Sequence, residues 1–339
     1  MSANLLELPK PYLLFVGDSS SAPYAKTAFG VKDWAPEACL AQYGLPGSVV
    51  SLGLPSMTPA KAAKAGARSL LIGVAAPGGS IPPAWEPTLL EAAANGMHVI
   101  SGLHTRLSDV TGLAKAAAEH GVRLIDVRHS TQSFPVGTPR RRTGKRLLTV
   151  GTDCALGKKY TALALTKAMR ARGVDADFRA TGQTGIMIAG SGVALDAVVA
   201  DFIAGAAETL SPDAAADHWD VIEGQGALFH PSYAGVTLGL VHGSQPDVLI
   251  LCHDPTRRSI RSFPEVLLPS LPEAAARYIE AARLTNPGVR LAGVSLNTST
   301  LSEAERARIL SSTEAEMHVP CFDPMKTSLE AAVDRILAG

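Results

Sequence analysis

Residues 147 to 165 read LLTVGTDCALGKKYTALAL. An apolar run suited to a strand passes through a glycine-bounded turn into a stretch of helix formers. Such a turn presents backbone N–H groups and the positive end of a helix dipole, which is the chemistry that holds a polyphosphate. Gly151, Thr152, Asp153, Cys154, Ala155, Leu156 and Gly157 would line the cradle, and Lys158 would add a point charge. The usual phosphate loop sets its glycines five apart and follows its lysine with a Ser or Thr that holds magnesium. Here the glycines are six apart, the lysine is followed by Lys159 and Tyr160, and the nearest hydroxyl is on Thr161. A tight strand-to-helix turn carrying an exposed lysine is the competing reading.

Other residues of the right type stand at predicted strand ends. HWDVIEGQGAL places Asp220 and Glu223 at the carboxyl end of a buried strand, where ligands of doubly wound sheets gather. In ATP enzymes an acid there helps hold magnesium, and a plain glycine turn is the alternative. GVSLNT ends on Asn297, whose amide matches an adenine edge, although Asn at a strand end also forms turns. In CHDPTRR, neighbours on a strand alternate faces, so Cys252, His253 and Asp254 cannot assemble a relay, while Arg257 suits a phosphate. Arg140, Arg141, Arg142, Lys145 and Arg146 read as a solvated linker, with a role beside a phosphate as the alternative. FVGDSS opens like a dinucleotide fold, but no Gly-x-Gly-x-x-Gly follows, so a nicotinamide cofactor lacks support.

The elements that must position these residues alternate. YLLFVGD, RSLLIGVAA, MHVISGL and VRLIDVR are strand-like, and Ala-rich stretches at 59–66 and 111–120 are helix-like. RLLTV, DADFRAT, HWDVIEG, PDVLILCHD and VRLAGVSLN supply later strands, with helices expected from the loop to Arg172, then at 190–209, 272–284 and 302–313. Alternation of this kind implies α/β architecture with parallel sheets covered on both faces. The aperiodic stretch STQSFPVGTPRRRTGKR separates two domains, at 1–135 and 136–339.

The 339 residues suffice for two domains, and a chain 46% hydrophobic and 18% charged is not disordered. Thirty-one basic residues balance thirty-one acidic ones, which removes the field that would draw the protein to nucleic acid or an anionic membrane. Small molecules are the expected partners. Cys39, Cys154, Cys252 and Cys321 lack metal-ligand spacing, and with no signal pattern at the N-terminus they are expected as reduced thiols of a cytoplasmic protein. The longest apolar stretch is cut by Asp196 and Asp201 and cannot span a bilayer. Ala-rich and Gly-rich helices permit close packing between copies, so a homo-oligomer is expected.

In order and spacing, GTDCALGK, EGQGAL and GVSLNT resemble the dethiobiotin synthetase-like branch of the P-loop proteins, which also sets its glycines six apart; Lys159 departs from that branch, where Thr is expected. A longer match rests on AAPGG and VISGLHTRLSD in the first domain. In the second it rests on GTDCALGKKYTALAL, TGQTGIMIAGSGVALDAVVADFIAGAAE, EGQGALFHPSYAGVTLGLVHGSQPDVLILCHDPTR and GVSLNT. On these the chain is identified as a member of a family long catalogued as a domain of unknown function, with an N-terminal Rossmann-like domain and a C-terminal P-loop NTPase-like domain. Some members are similar to D-glutamate N-acetyltransferases that use acetyl-CoA. The resemblance therefore implies acetyl transfer to the amine of a D-amino acid, D-glutamate foremost; an ATP-dependent ligase or kinase of the dethiobiotin synthetase type is the alternative.

Acetyl-CoA brings an adenine, a diphosphate and a 3′-phosphate, and acetyl transfer needs no metal to activate a phosphoryl group. On this reading Gly151 to Thr161 and Asn297 hold the coenzyme, and no metal site is expected. The amine needs a base, for which His230 and Glu223 are rivals, a histidine hydrogen-bonded to turn backbone being the alternative for His230; Asp153 is a further catalytic candidate. Backbone N–H groups of the TGQTG turn would receive the oxyanion. Arg179, Thr181, Gln183, Thr184 and Gln225, with Ser101 and His104 from the first domain, would bind the substrate, with pairing to a neighbouring acid as the alternative for Arg179.

Overall fold

Runs that are apolar throughout, rather than alternating, mark strands buried on both faces, and these runs build two parallel sheets. The computed structural model describes residues 5–74, 79–129, 132–138 and 140–338. It divides into an N-terminal unit, formed by 4–132 with 183–197, and a C-terminal unit, formed by 133–182 with 198–339.

The N-terminal unit contains β1 (Leu6–Glu7), β2 (Tyr12–Gly17), β3 (Cys39–Gly44), β4 (Ser69–Ile72), β5 (His98–Ser101) and β6 (Leu124–Asp126). The last five form a parallel sheet ordered β3-β2-β4-β5-β6, with YLLFVG of β2 wholly buried. Crossover helices cover it; that at Pro59–Lys64 starts where the Thr58 side chain accepts the Lys61 amide and Pro59 takes the first turn. Asp18 accepts the Trp85 indole N–H at 2.9 Å. Residues 75–78 of the AAPGG motif lie outside the described residues.

The C-terminal unit contains β7 (Lys145–Gly151), β8 (Ala176–Arg179), β10 (Trp219–Ile222), β11 (Val248–His253), β14 (Arg290–Leu296) and β15 (Cys321–Phe322). All six are parallel, ordered β15-β14-β11-β7-β10-β8. β7 leads away to β8 on one side and its neighbour β11 leads away to β14 on the other, so a topological switch point falls between their carboxyl ends. The helix Lys158–Ala171 packs Ala162, Leu165 and Met169 on Leu147, Val221 and Ile250. Each large apolar side chain so buried contributes roughly 2 kcal/mol relative to exposure. Gly173, at φ +77°, closes that helix as its sequence predicts. A two-stranded antiparallel hairpin, β12 (Ser259–Ile260) with β13 (Phe263–Leu267), follows β11.

The helix expected at 190–209 does not form as one element. The chain instead runs through a helix at Gln183–Ala189, then β9 (Ser191–Gly192), which pairs antiparallel with β1, then two short 3-10 turns, and a helix at Ile203–Leu210. Gly190 and Gly192, at φ +85° and +152°, take conformations that a helix interior excludes. Its two halves belong to different units, and Asp196 and Asp201 sit on separate turns.

The basic cluster before β7 is not a solvated linker. Arg140 pairs with Asp213 at 2.8 Å and Arg141 with Asp247 at 2.8 Å. Arg142 is buried and donates to the carbonyls of Gly243 (2.7 Å) and Ser244 (3.2 Å), the negative end of the helix Ala234–Ser244. Arg146 is fully buried and donates to the Thr143 carbonyl at 2.8 Å. No helix of the described residues is long and apolar enough to cross a membrane.

Candidate active site

The turn leaving β7 is a wrapped loop on a helix N-terminus, with Ala155 at φ +52° and Gly157 at φ +105°. The first-turn N–H groups of Lys158–Ala171 have no acceptor within their own helix, which makes this end a natural anion site. Lys158 is buried and donates from Nζ to the Asp153 carbonyl at 2.8 Å; burial pushes its pKa down. Lys159 lies over the Tyr160 ring, 4.4 Å from its centroid. Thr152 shares a 2.9 Å hydrogen bond with Nδ1 of His253, whose pKa is lowered by burial. Thr161 is engaged inside the sheet, bonding Ser295 at 2.8 Å and donating to the Gly157 carbonyl at 3.2 Å. It therefore does not replace the hydroxyl absent at 159.

Asp153 is fully buried, and donors occupy both of its oxygens. Oδ1 accepts the Cys154 amide at 2.6 Å; Oδ2 accepts Arg257 Nη1 at 3.1 Å and the Arg261 amide at 2.8 Å. Asp153, Cys154 and His230 bring a carboxylate oxygen, a thiol and a ring nitrogen within 4.8 Å of one another. A carboxylate bonded to a guanidinium and two amides across both oxygens acts as a strut for the loop. Burial pushes the Cys154 thiol up, against the pull of Lys158. His230 accepts the Ser232 amide on Nδ1 at 3.1 Å, stacks on Tyr233 and meets the edge of Phe263. In the neutral ring the proton is then on Nε2, a donor.

Glu223 follows β10. Its Oε2 accepts the amides of Thr181 (3.0 Å) and Gly182 (3.2 Å), and the Thr181 hydroxyl donates to its carbonyl at 2.7 Å. Those two amides are thus spent on Glu223 and do not receive an oxyanion. Burial raises the Glu223 pKa to about 7, outweighing the lowering by Lys159, the two amides and Lys158. Gly224 fits the turn because a Cβ there would lie 1.7 Å from the Thr149 carbonyl, and its amide donates to the Thr149 hydroxyl at 2.9 Å.

Family models for a domain of unknown function match the chain twice: the DUF1611_N Rossmann-like domain at residues 46–130 and the DUF1611_C P-loop domain at 133–333. This chain belongs to the DUF1611 family. A DUF1611 family protein from Anabaena variabilis has a crystal structure that matches it with a TM-score of 0.81 and 31% identity, covering 98% of this chain and all of that one. Two curated relatives are named D-glutamate N-acetyltransferase. The one from Pseudoalteromonas sp is 46% identical over 97% of this chain and 99% of its own length. The one from Tritonibacter scottomollicae is 48% identical over 97% and 98%.

Within this DUF1611 chain, the phosphate loop, Glu223, Thr181, Gln225 and His230 belong to the C-terminal unit. The Gln225 amide lies close against Gly182. Arg179 does not stand ready as a substrate clamp: its Nε donates to Asp220 at 2.6 Å, and Asp177 lies 3.5 Å from its Nη2. Asp220, near the amino end of β10, is shared with His218 at 3.2 Å. Asn297 accepts the Ser299 amide at 3.3 Å, as a turn former does. Ser101, His104, Gln183 and Thr184 lie in the N-terminal unit. There Ser101 accepts the Leu103 amide at 3.1 Å, Gln183 donates to Asp196 at 3.1 Å, Thr184 meets Thr27 at 3.4 Å, and the exposed His104 donates its amide to Gly79 at 2.8 Å.

The sequence carries no local signal for Tyr278, which is fully buried and joins the two loops of the site. Its hydroxyl donates to the Gly151 carbonyl at 2.7 Å and accepts the Leu228 amide at 3.1 Å.

Proposed function

We propose that the protein transfers the acetyl group of acetyl-CoA to the amine of D-glutamate. The near full-length likeness to two relatives of that name supports the substrate pair. Glu223 carries the chemical reading: a buried carboxylate held at about 7, beside a phosphate loop with Lys at the position of the magnesium-holding hydroxyl. An amino acid's ammonium must lose a proton before it can attack a thioester, and a base titrating near neutral pH is suited to take it. An ATP site with that carboxylate as a magnesium partner would want the hydroxyl.

The residues present fit the coenzyme as a phosphate-bearing ligand. Loop residues Thr152 to Gly157 and the first turn of the following helix would hold its diphosphate, with Lys158 and Lys159 supplying charge. Bound there, the coenzyme supplies an activated acetyl thioester. Glu223 acts as the base, positioned by the Thr181 and Gly182 amides. His230, with its proton on Nε2, acts as a donor to the developing oxyanion rather than as the base. Gln225 is assigned to the polar groups of the substrate.

The test is thiol release from acetyl-CoA by purified protein with D-glutamate or L-glutamate, in the absence of ATP and magnesium. Release with D-glutamate and not L-glutamate is expected; no release with either overturns the proposal.

A further inference from the structure

Three basic side chains crowd the turn after β11, where the sequence reads RRSIRS from 257 to 262. Arg257 clamps this turn to the phosphate loop, donating to the carbonyls of Cys154 (2.8 Å) and Ala155 (2.9 Å) and pairing with Asp153 and Asp254. The Arg261 amide adds a bond to Asp153. Arg258 and Arg261 differ from Arg257 and from Arg140, Arg141, Arg142 and Arg146. Both are exposed, and among the described residues no carboxylate pairs with either.

Together with Ser259 and Ser262 these arginines line a cavity of about 340 Å³ to which no acidic side chain contributes. Ser262 stands at φ +69°, a left-handed conformation that disfavours a residue with a Cβ. Cations and hydroxyls converge, then, on a pocket joined through Arg257 to the loop that is suited to a diphosphate. Paired guanidinium groups select a dianionic phosphomonoester over a single-charged group, because their planar forks bond several of its oxygens at once.

We infer that this groove takes the 3′-phosphate of coenzyme A, the one phosphate that distinguishes the coenzyme from ADP. The inference rests on acetyl-CoA being the acetyl donor. It also explains why the basic cluster at 140–146 is not needed for that role: its arginines are engaged within the C-terminal unit.

The experiment is calorimetric binding of coenzyme A and of 3′-dephospho-coenzyme A to wild type and to Arg258→Ala, Arg261→Ala and the double variant, with the thermal midpoint of each protein recorded. Wild type should prefer coenzyme A. Each single change should weaken coenzyme A binding roughly tenfold and leave the dephospho form unchanged, so that the double variant no longer discriminates. A preference for coenzyme A that survives in the double variant overturns the groove assignment and leaves the donor reading standing. Failure of wild type to bind either ligand removes both.

Discussion

The loop leaving β7 buries Asp153 and the loop leaving β10 buries Glu223, yet donors reach both oxygens of the first carboxylate and, from the Thr181 and Gly182 amides, Oε2 of the second. A carboxylate with a guanidinium and two amides across both oxygens is tied into the scaffold. One whose burial outweighs its donors titrates near neutral pH. Burial alone therefore does not mark a catalytic acid or base; the balance between burial and donors does. The largest expected effect tests this division. Glu223→Gln keeps an oxygen for the Thr181 and Gly182 amides but cannot take a proton, so kcat should fall by roughly 10²–10⁴ with the fold retained. Comparable kcat losses from Glu223→Gln and Asp153→Asn, with KM unchanged in both, would break the comparison.

The same carboxylate should affect stability with a definite sign. Burial lifts its folded pKa to about 7, above the ordinary glutamate value of 4.5. A raised folded pKa means that the contribution is fully present below about 4.5 and is lost as pH rises through about 7, a change on the order of 3 kcal/mol. Gln has no proton to lose, so the melting temperature of Glu223→Gln should gain on wild type between pH 5 and pH 8 while activity falls. A constant difference across that range would show that Glu223 is not held protonated by the fold. Asp153→Asn should act the other way: it leaves Asp254 as Arg257's remaining carboxylate partner and lowers the unfolding free energy by about 1–3 kcal/mol at pH 7, measurable by urea titration.

The parts of this arrangement that were legible in the sequence are those set by local pattern. Parallel strands read as unbroken apolar runs because both faces are covered, and the phosphate loop read as a turn into a helix because glycine spacing fixes it. TGQTG read as one substrate-binding turn, but the chain passes from one unit to the other between Gly182 and Gln183. Nothing local marks that change. Arg179 reads either as a clamp or as the partner of a neighbouring acid, and local pattern does not choose; the partner, Asp220, lies on the neighbouring strand. Tyr278 read as a helix residue, and its role in joining the two loops depends on packing across 127 positions.

The finest test lies at Lys159, where the two loops meet electrostatically. Lys159 is the foremost of the groups that lower the Glu223 pKa, and it stands where a magnesium-holding Thr would stand in an ATP enzyme. Lys159→Thr therefore separates two accounts of Glu223. If the carboxylate is a base, removing the cation disfavours its ionised form, and the acid limb of the kcat/KM profile moves to higher pH by a fraction of a unit, with kcat on the plateau little changed. If the carboxylate belongs to a metal site, the new hydroxyl completes a magnesium ligand set and the variant binds ATP only when magnesium is present. A pH profile and a magnesium-dependent ATP titration of this one variant decide between them, because the first account predicts a shifted limb without ATP binding and the second predicts the reverse.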